Sequence, residues 1–139
     1  MTTITTVAIL GAGQMGAGIA QAVALGGYSV RLYDVVADRL PLAQGEIAAS
    51  LSRHVARGLI DQAAADAALA RIAVSDVMAD AVAGADLVIE AALEDEAVKK
   101  AIYAQVLPHL GPQTLLASNT SSISITRLAS STDRPDRFV

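Results

Sequence analysis

An α/β fold built on a doubly wound parallel sheet is predicted for this 139-residue chain by three observations. Apolar runs of strand length alternate with longer runs of helical pattern, and parallel strands need such crossover helices between them. The short runs, such as Leu87–Ile89, carry no polar alternation, which fits strands buried on both faces. Apolar residues make up 53% and aromatics only 3%, so the core is built from Ala, Val, Leu and Ile, a composition suited to helices packed closely on a sheet.

The first strand is read at Thr5–Leu10. A helix follows over Gln14–Leu25, rich in small residues and stopped by Gly26-Gly27. The second strand is Tyr28–Tyr33. A long helix spans Ala37–Arg57, with Leu40, Ile47, Leu51 and Val55 on one face, Pro41 in its first turn and Gly58 as its stop. Asp61–Arg71 reads as an alanine-rich helix capped by Asp61. Strands at Ile72–Val74 and Asp86–Glu90 come next, then a helix at Asp95–Leu107 stopped by Pro108, a strand at Thr114–Ala117 and a last helix at Ser122–Ser130. Arg137-Phe138-Val139 has the look of a further strand being entered, so the expectation is a chain cut there.

Length and composition predict one domain, residues 1–139, with a real core. There is no cysteine, which excludes disulfides and thiolate metal sites, and the two histidines, His54 and His109, are far apart, so no metal is expected. A net charge of −4 without a basic block argues against nucleic acid. No apolar run approaches the ~18 residues of a membrane span. MTTITTVAIL lacks the basic region and cleavage site of a signal peptide, so a cytoplasmic protein is expected.

The chemistry centres on VAILGAGQMGAG, Val7 to Gly18. Gly11, Gly13 and Gly16 have the spacing G-x-G-x-x-G between a strand and a helix. Gly11 allows the tight turn, Gly13 lets backbone approach a phosphate, and Gly16 lets the helix pack on the strand. With Ala12, Gln14 and Met15 they leave backbone N–H groups at a helix N-terminus, an anion site suited to a pyrophosphate. Asp34 ends the second strand in VRLYD, where a carboxylate accepts both ribose hydroxyls of an adenosine and repels a 2′-phosphate. That favours NAD over NADP, although Arg31 and Arg39 lie close enough in sequence to soften the exclusion. Capping the following helix is the other role open to Asp34; its position at a strand end favours the ribose.

Glu90, Glu94 and Lys99 follow the fourth strand in DLVIEAALEDEAVKK, and strand carboxyl ends line the ligand crevice of such a sheet. Cofactor contact and an acidic helix start both fit them. Ser118-Asn119-Thr120-Ser121-Ser122 follows the fifth strand; its hydroxyls and amide suit a nicotinamide or a substrate oxygen, and equally a helix cap. No base adjoins Ser121, so a Ser-His-Asp nucleophile is not supported. His54 and His109 read as helix-end residues rather than acid–base catalysts.

Taken together, VAILGAGQMGAGIAQAVALGGYSVRLYD, ADLVIEAALEDEAVKKAIYAQ and LLASNTSSISITRLASSTDRPDRF resemble the N-terminal domain of the 3-hydroxyacyl-CoA dehydrogenase family, nearest to bacterial members acting on 3-hydroxybutyryl-CoA or on CoA esters of aromatic breakdown. The resemblance covers nearly the whole chain. It implies a Rossmann-type, NAD-binding domain of an oxidoreductase that moves hydride between an L-3-hydroxyacyl-CoA and NAD. It places the phosphate loop at Gly11–Gly16 and the ribose carboxylate at Asp34, and makes Glu94 and Lys99 cofactor contacts; the Asn119 amide is expected beside them from its place in the hydroxyl run. Ser121 falls beside the nicotinamide and the substrate's 3-oxygen, as a catalytic residue. Ser50 and Arg57 match, more loosely, positions that touch CoA, with Arg where Lys is common.

The resemblance puts the family's catalytic histidine in a G-x-H-F-F-N-P segment just beyond Val139, followed by its glutamate and the C-terminal helical domain that closes the acyl pocket and mediates dimerisation. The expectation is therefore a domain truncated before that helical part, binding NAD but nearly inactive alone, and prone to self-association through a cut sheet edge. A non-catalytic NAD(H)-binding module is the competing reading, and another NAD-linked hydroxyacid or sugar-acid dehydrogenase a third.

Overall fold

Five short strands laid side by side carry the molecule, and a computed structural model describes residues 3–139. In chain order the elements are β1 (Thr6–Leu10), α1 (Gln14–Leu25), β2 (Ser29–Tyr33), α2 (Arg39–Ala56), α3 (Gln62–Ala70), β3 (Ile72–Ser75), α4 (Met78–Val82), β4 (Leu87–Glu90), α5 (Glu96–Val106), β5 (Leu115–Ser118) and α6 (Ile125–Ser130). All four strand pairings are parallel, in the order β3-β2-β1-β4-β5. The chain walks outward from β1 to β3, then returns to build on the other side of β1. Loops leaving β1 and β4 diverge at that reversal and open a crevice at the carboxyl ends of the strands.

Side-chain alternation along β1 divides the core. Val7 and Ile9 face one layer with Val30 and Leu32, packed under Ala17, Ala20 and Ala24 of α1 and Leu40, Ala43, Ile47 and Leu51 of α2. Ala8 and Leu10 face the other, with Val88, Leu116, Val82, Tyr103, Val106 and Leu128. The scarcity of aromatics is offset by alanine, which lets α1 lie close against the sheet. Asp86 fastens the start of β1 to β4: its Oδ2 accepts from the Thr5 and Thr6 backbone N–H groups at 2.9 and 3.0 Å.

Most predicted elements are present with ends moved by a few residues. Asp61 caps α3, its Oδ1 accepting from Ala64 N at 2.8 Å, and Asp95 caps α5 through Val98 N at 3.0 Å. Gly58, at φ +73°, follows α2 in a conformation that ends a helix. Helix α2 begins at Arg39 rather than Ala37, and Pro41 still falls in its first turn. The last helix starts at Ile125, not Ser122: Thr120 Oγ1 accepts from Ser122 N and Ile123 N, holding those residues in a turn, and Ser124 caps instead. Helix α4 is not legible in the sequence. Phe138 pairs with Leu116 in a parallel bridge, so the segment read as an incipient strand does lie along β5. Among the described residues no helix is long and apolar enough to cross a membrane.

Gly16 sets how near α1 comes to β1. A Cβ there would stand 1.7 Å from the Gly11 carbonyl oxygen and 2.8 Å from its carbon, backbone atoms that cannot rotate away. Gly16→Ala is therefore expected to destabilise the fold by at least about 3 kcal/mol, beyond ordinary overpacking. Urea unfolding followed by circular dichroism checks this; a midpoint like that of the parent chain contradicts it.

Candidate dinucleotide-binding site

The crevice is built first by backbone. Strand β1 runs into Gly11, whose φ of +113° turns the chain sharply, and a Cβ at Gly11 would meet the Ala91 carbonyl oxygen at 2.5 Å. Gly11 N donates to Tyr33 O at 2.8 Å, tying the turn to β2. Gly13 is the N-cap of α1, with no side-chain cap and no acidic residue in the first turn. Nothing lies within 4 Å of where its Cβ would be. An uncapped helix N-terminus behind open space has the shape and the partial positive charge for an anion. Gln14 and Met15 stand exposed on that first turn; Gly16 and Ala12 are buried beneath it.

Asp34 follows β2 and faces this turn. Its Oδ2 accepts from Ala12 N and its Oδ1 from Val36 N, both at 2.9 Å. A carboxylate has about four acceptor directions, so both oxygens keep capacity for hydroxyl donors. The residue does not cap α2, whose N-cap is Asp38. Between Asp34 and α5 runs a groove of about 560 Å³ lined largely by apolar groups, among them Val35, Met78, Ala92, Leu93, Val98 and Ile102. Its apolar lining suits a flat heteroaromatic ring. Gly11, Gly13 and Asp34 also line it, so ring pocket, carboxylate and anion site are continuous.

Beneath the far end of the crevice is a buried ionic cluster. Glu90, fully buried at the end of β4, receives Lys99 Nζ at 2.6 Å, Tyr103 OH at 2.7 Å, Ser118 Oγ at 2.7 Å and Ala92 N at 2.8 Å. No buried side-chain polar atom among the described residues lacks a partner. Lys99 also lies 3.5 Å from Glu94 Oε1 and is itself 1% exposed. Burial, reinforced by Glu90, pushes the Tyr103 phenol well above its ordinary value. Sequence reading weighed Glu90, Lys99 and the hydroxyl run that begins at Ser118, but missed Tyr103 and the pairing of Ser118 with Glu90. Tyr103 lies one turn after Lys99 on α5, and Ser118 sits opposite Glu90 in the β4–β5 register, so a strand alignment is the signal that finds them.

Glu94 reaches upward instead. Its Oε2 accepts from Ser121 N and Ser122 Oγ, both at 3.2 Å. The Thr120 hydroxyl first, then Ser121 N, the Lys99 ammonium and Ser122 Oγ, hold its carboxyl below the usual glutamate range. Ser121 and Asn119 are exposed at the carboxyl end of β5, and Asn119 N is held by Glu90 O at 2.9 Å. Among the described residues the Ser121 hydroxyl and the Asn119 carboxamide have no protein partner.

The predicted residues thus separate. Gly11 to Gly16, Asp34, Glu94, Asn119 and Ser121 share the strand ends. Lys99, expected as a cofactor contact, lies beneath the strand ends, because α5 turns it inward onto Glu90 in a buried ion pair. Ser50 lines a separate cleft of about 540 Å³ between α1 and α2, with Gln14, Gln21, Arg39, Glu46 and Arg53. Arg57 does not line it: it is the exposed C-cap of α2, a turn beyond Arg53. His54 Nδ1 is 3.4 Å from Gln21 Nε2 near the end of α2, and His109 precedes β5. Helices after parallel strands run back toward the strands' amino ends, so both histidines lie away from the crevice. Among the described residues no three His, Asp or Glu are grouped to hold a metal ion.

Comparison with known proteins agrees with this geometry. The family described as "3-hydroxyacyl-CoA dehydrogenase, NAD binding domain" matches residues 6–139. The chain is 47% identical over 136 residues to a 3-hydroxybutyryl-CoA dehydrogenase of Bradyrhizobium diazoefficiens, covering 98% of this chain and 46% of that one. It is 47% identical over 138 residues to a 3-hydroxyadipyl-CoA dehydrogenase of Escherichia coli, covering 99% and 29%. The solved structure of (S)-3-hydroxybutyryl-CoA dehydrogenase PaaH1 from Ralstonia eutropha superposes with a TM-score of 0.93 at 43% identity, covering 98% of this chain and 48% of that one. The chain thus spans about half the length, or less, of these relatives.

Two outcomes follow from the site's electrostatics. Lys99→Met leaves Glu90 buried without its counter-charge and is expected to cost about 3–5 kcal/mol, while Glu90→Gln/Lys99→Met costs less than Lys99→Met alone; equal stabilities in urea melts contradict the pairing. Glu94, depressed in the folded chain, stabilises its loop contacts above the unfolded value of about 4.3, and that contribution is lost as pH falls through the lower folded value. Amide exchange at Ser121 should quicken over that acid range. Protection that persists until global unfolding contradicts the contact.

Proposed function

This chain belongs to the 3-hydroxyacyl-CoA dehydrogenase family, as its NAD-binding domain, and from that premise we propose that the whole protein transfers hydride between an L-3-hydroxyacyl-CoA and NAD. The observation that carries the reading is the continuity of three parts in one crevice: an apolar groove, the Asp34 carboxylate and the uncapped N-terminus of α1. They match in order the adenine, the ribose and the pyrophosphate of a dinucleotide. Bound NAD supplies the hydride acceptor.

The chain's own residues bind and orient. The Gln14 and Met15 N–H groups face the phosphates, and Asp34 accepts the ribose hydroxyls. Asn119 and Ser121 present a free carboxamide and a free hydroxyl at the end of β5, where the nicotinamide and the substrate's 3-oxygen meet. Glu94 holds the Ser121 backbone, and Lys99 fixes Glu94 from below. The acyl-CoA passes along α2 near Ser50, with Arg53 better placed than Arg57 for a phosphate.

The base that takes the hydroxyl proton lies outside residues 1–139, which we take as one NAD-binding unit beside a helical substrate and dimerisation domain. In support, neither His54 nor His109 reaches the strand ends. A positioned base contributes about 10²–10⁴-fold in rate, so residues 1–139 alone bind NAD and turn over very slowly.

Fluorescence titration with NADH tests the reading. Asp34→Ala should weaken binding by about 1–3 kcal/mol, the worth of lost charge-assisted hydrogen bonds. Gly13→Ala should leave the fold within about 1 kcal/mol, because its Cβ meets nothing, yet weaken NADH about tenfold or more, because that space is where phosphate enters. Unchanged NADH affinity in both variants contradicts the site. Reduction of acetoacetyl-CoA by this chain at ordinary enzyme rates contradicts the placement of the base.

A further inference from the structure

The two arginines near the glycine turn have different fates. Arg31, on β2 between the core residues Val30 and Leu32, points to the opposite face of the sheet and donates to the Ala83 carbonyl. Arg39, in the first turn of α2, reaches back: its Nη2 donates to the Ala12 carbonyl at 2.9 Å. Asp34 accepts from the N–H of that same Ala12, also at 2.9 Å. Carboxylate and guanidinium therefore straddle one residue of the phosphate turn. Ala12 itself is fully buried, so its polar groups depend on these two partners.

We propose that Arg39 is the specificity-determining partner of Asp34: it positions the Ala12 carbonyl for NAD, and it is a latent 2′-phosphate ligand that the Asp34 charge keeps from recruiting NADP. The proposal rests on the reading of Asp34 as the ribose carboxylate. Arg39 has the required chemistry. Its side chain is 34% exposed, and its one carboxylate neighbour among the described residues is Glu46, a loose 3.8 Å away and half exposed. A guanidinium offers five N–H donors in a planar fork, so most remain for a phosphate while one holds Ala12. Arg39 and Asp34 meet the phosphate turn at the same residue, Ala12, so a group added to a ribose held by Asp34 enters the neighbourhood of the guanidinium. In the native chain a 2′-phosphate would have to sit against the Asp34 carboxylate, and that repulsion offsets the attraction of the guanidinium.

Four proteins test this by NADH and NADPH titration: the parent chain, Arg39→Met, Asp34→Ser and Asp34→Ser/Arg39→Met. Serine removes the charge, makes room and keeps an acceptor for Ala12 N; Asp34→Asn is a second version should the serine variant fold poorly, and circular dichroism reports folding for each. Arg39→Met should weaken NADH about threefold to tenfold, the loss of one charge-assisted hydrogen bond. Asp34→Ser should tighten NADPH about tenfold or more, and adding Arg39→Met should abolish that gain, since a phosphate then meets no guanidinium. An NADPH gain of the same size with and without Arg39, or no gain in either charge-removed variant, overturns the proposal while leaving the NAD site intact. Failure of the parent chain to bind NADH overturns the underlying site, and this proposal with it.

Discussion

Everything in the crevice depends on how closely three stretches of backbone approach one another. The turn at Gly11 passes so near the end of β4 that the Ala91 carbonyl occupies the place of a side chain, and α1 presses so near the turn that the Gly11 carbonyl occupies the place of one at Gly16. That contact points the uncapped N-terminus of α1 across the strand ends. It also leaves Gly13 as the one glycine of the three with open space before it. Two glycines are thus absent side chains for packing, and the third for access.

The opposite end of the crevice is held by charge rather than by close approach. Glu90 is taken wholly out of water, a costly step that only several donors together offset. Four groups on β5, α5 and the β4 loop converge on it, so the loops after β4 and β5 are fixed to a common centre. Lys99 passes that order upward to Glu94, and Glu94 to the backbone of the Ser121–Ser122 turn. The exposed hydroxyl of Ser121 and carboxamide of Asn119 thus stand on backbone that Glu94 and Glu90 hold from beneath. Preorganisation of this kind lowers the ordering cost of binding.

The fold was legible because its signals are local and repeated: apolar runs without alternation, helix stops at Gly58 and Pro108, and a cap at Asp61 that the structure bears out by its hydrogen bond. Helix α4 escaped because Val77 provides no side-chain cap and five residues are too few for a periodic pattern. The start of the last helix was misplaced because the hydroxyl run offers several caps, and Thr120 and Ser124 divide the work. In the site, the glycine turn and Asp34 could be read from spacing. What could not be read is what Asp34 and Arg39 do to Ala12, since those contacts bridge 22 and 27 residues. The pairing of Lys99 with Glu90 was not legible either; its direction is decided by which side of α5 faces the sheet, and that is a property of packing.

The central claim is that the free backbone at the start of α1 receives the pyrophosphate. Backbone amide NMR of the isotopically labelled chain, recorded while NADH is added, tests it directly. The account predicts that the Gly13, Gln14 and Met15 amides shift most, saturating together with those of Val36 beside Asp34, while amides of the α3 layer stay still. Saturable shifts confined to the α2–α3 side, with the Gly13–Met15 amides unmoved, would contradict it.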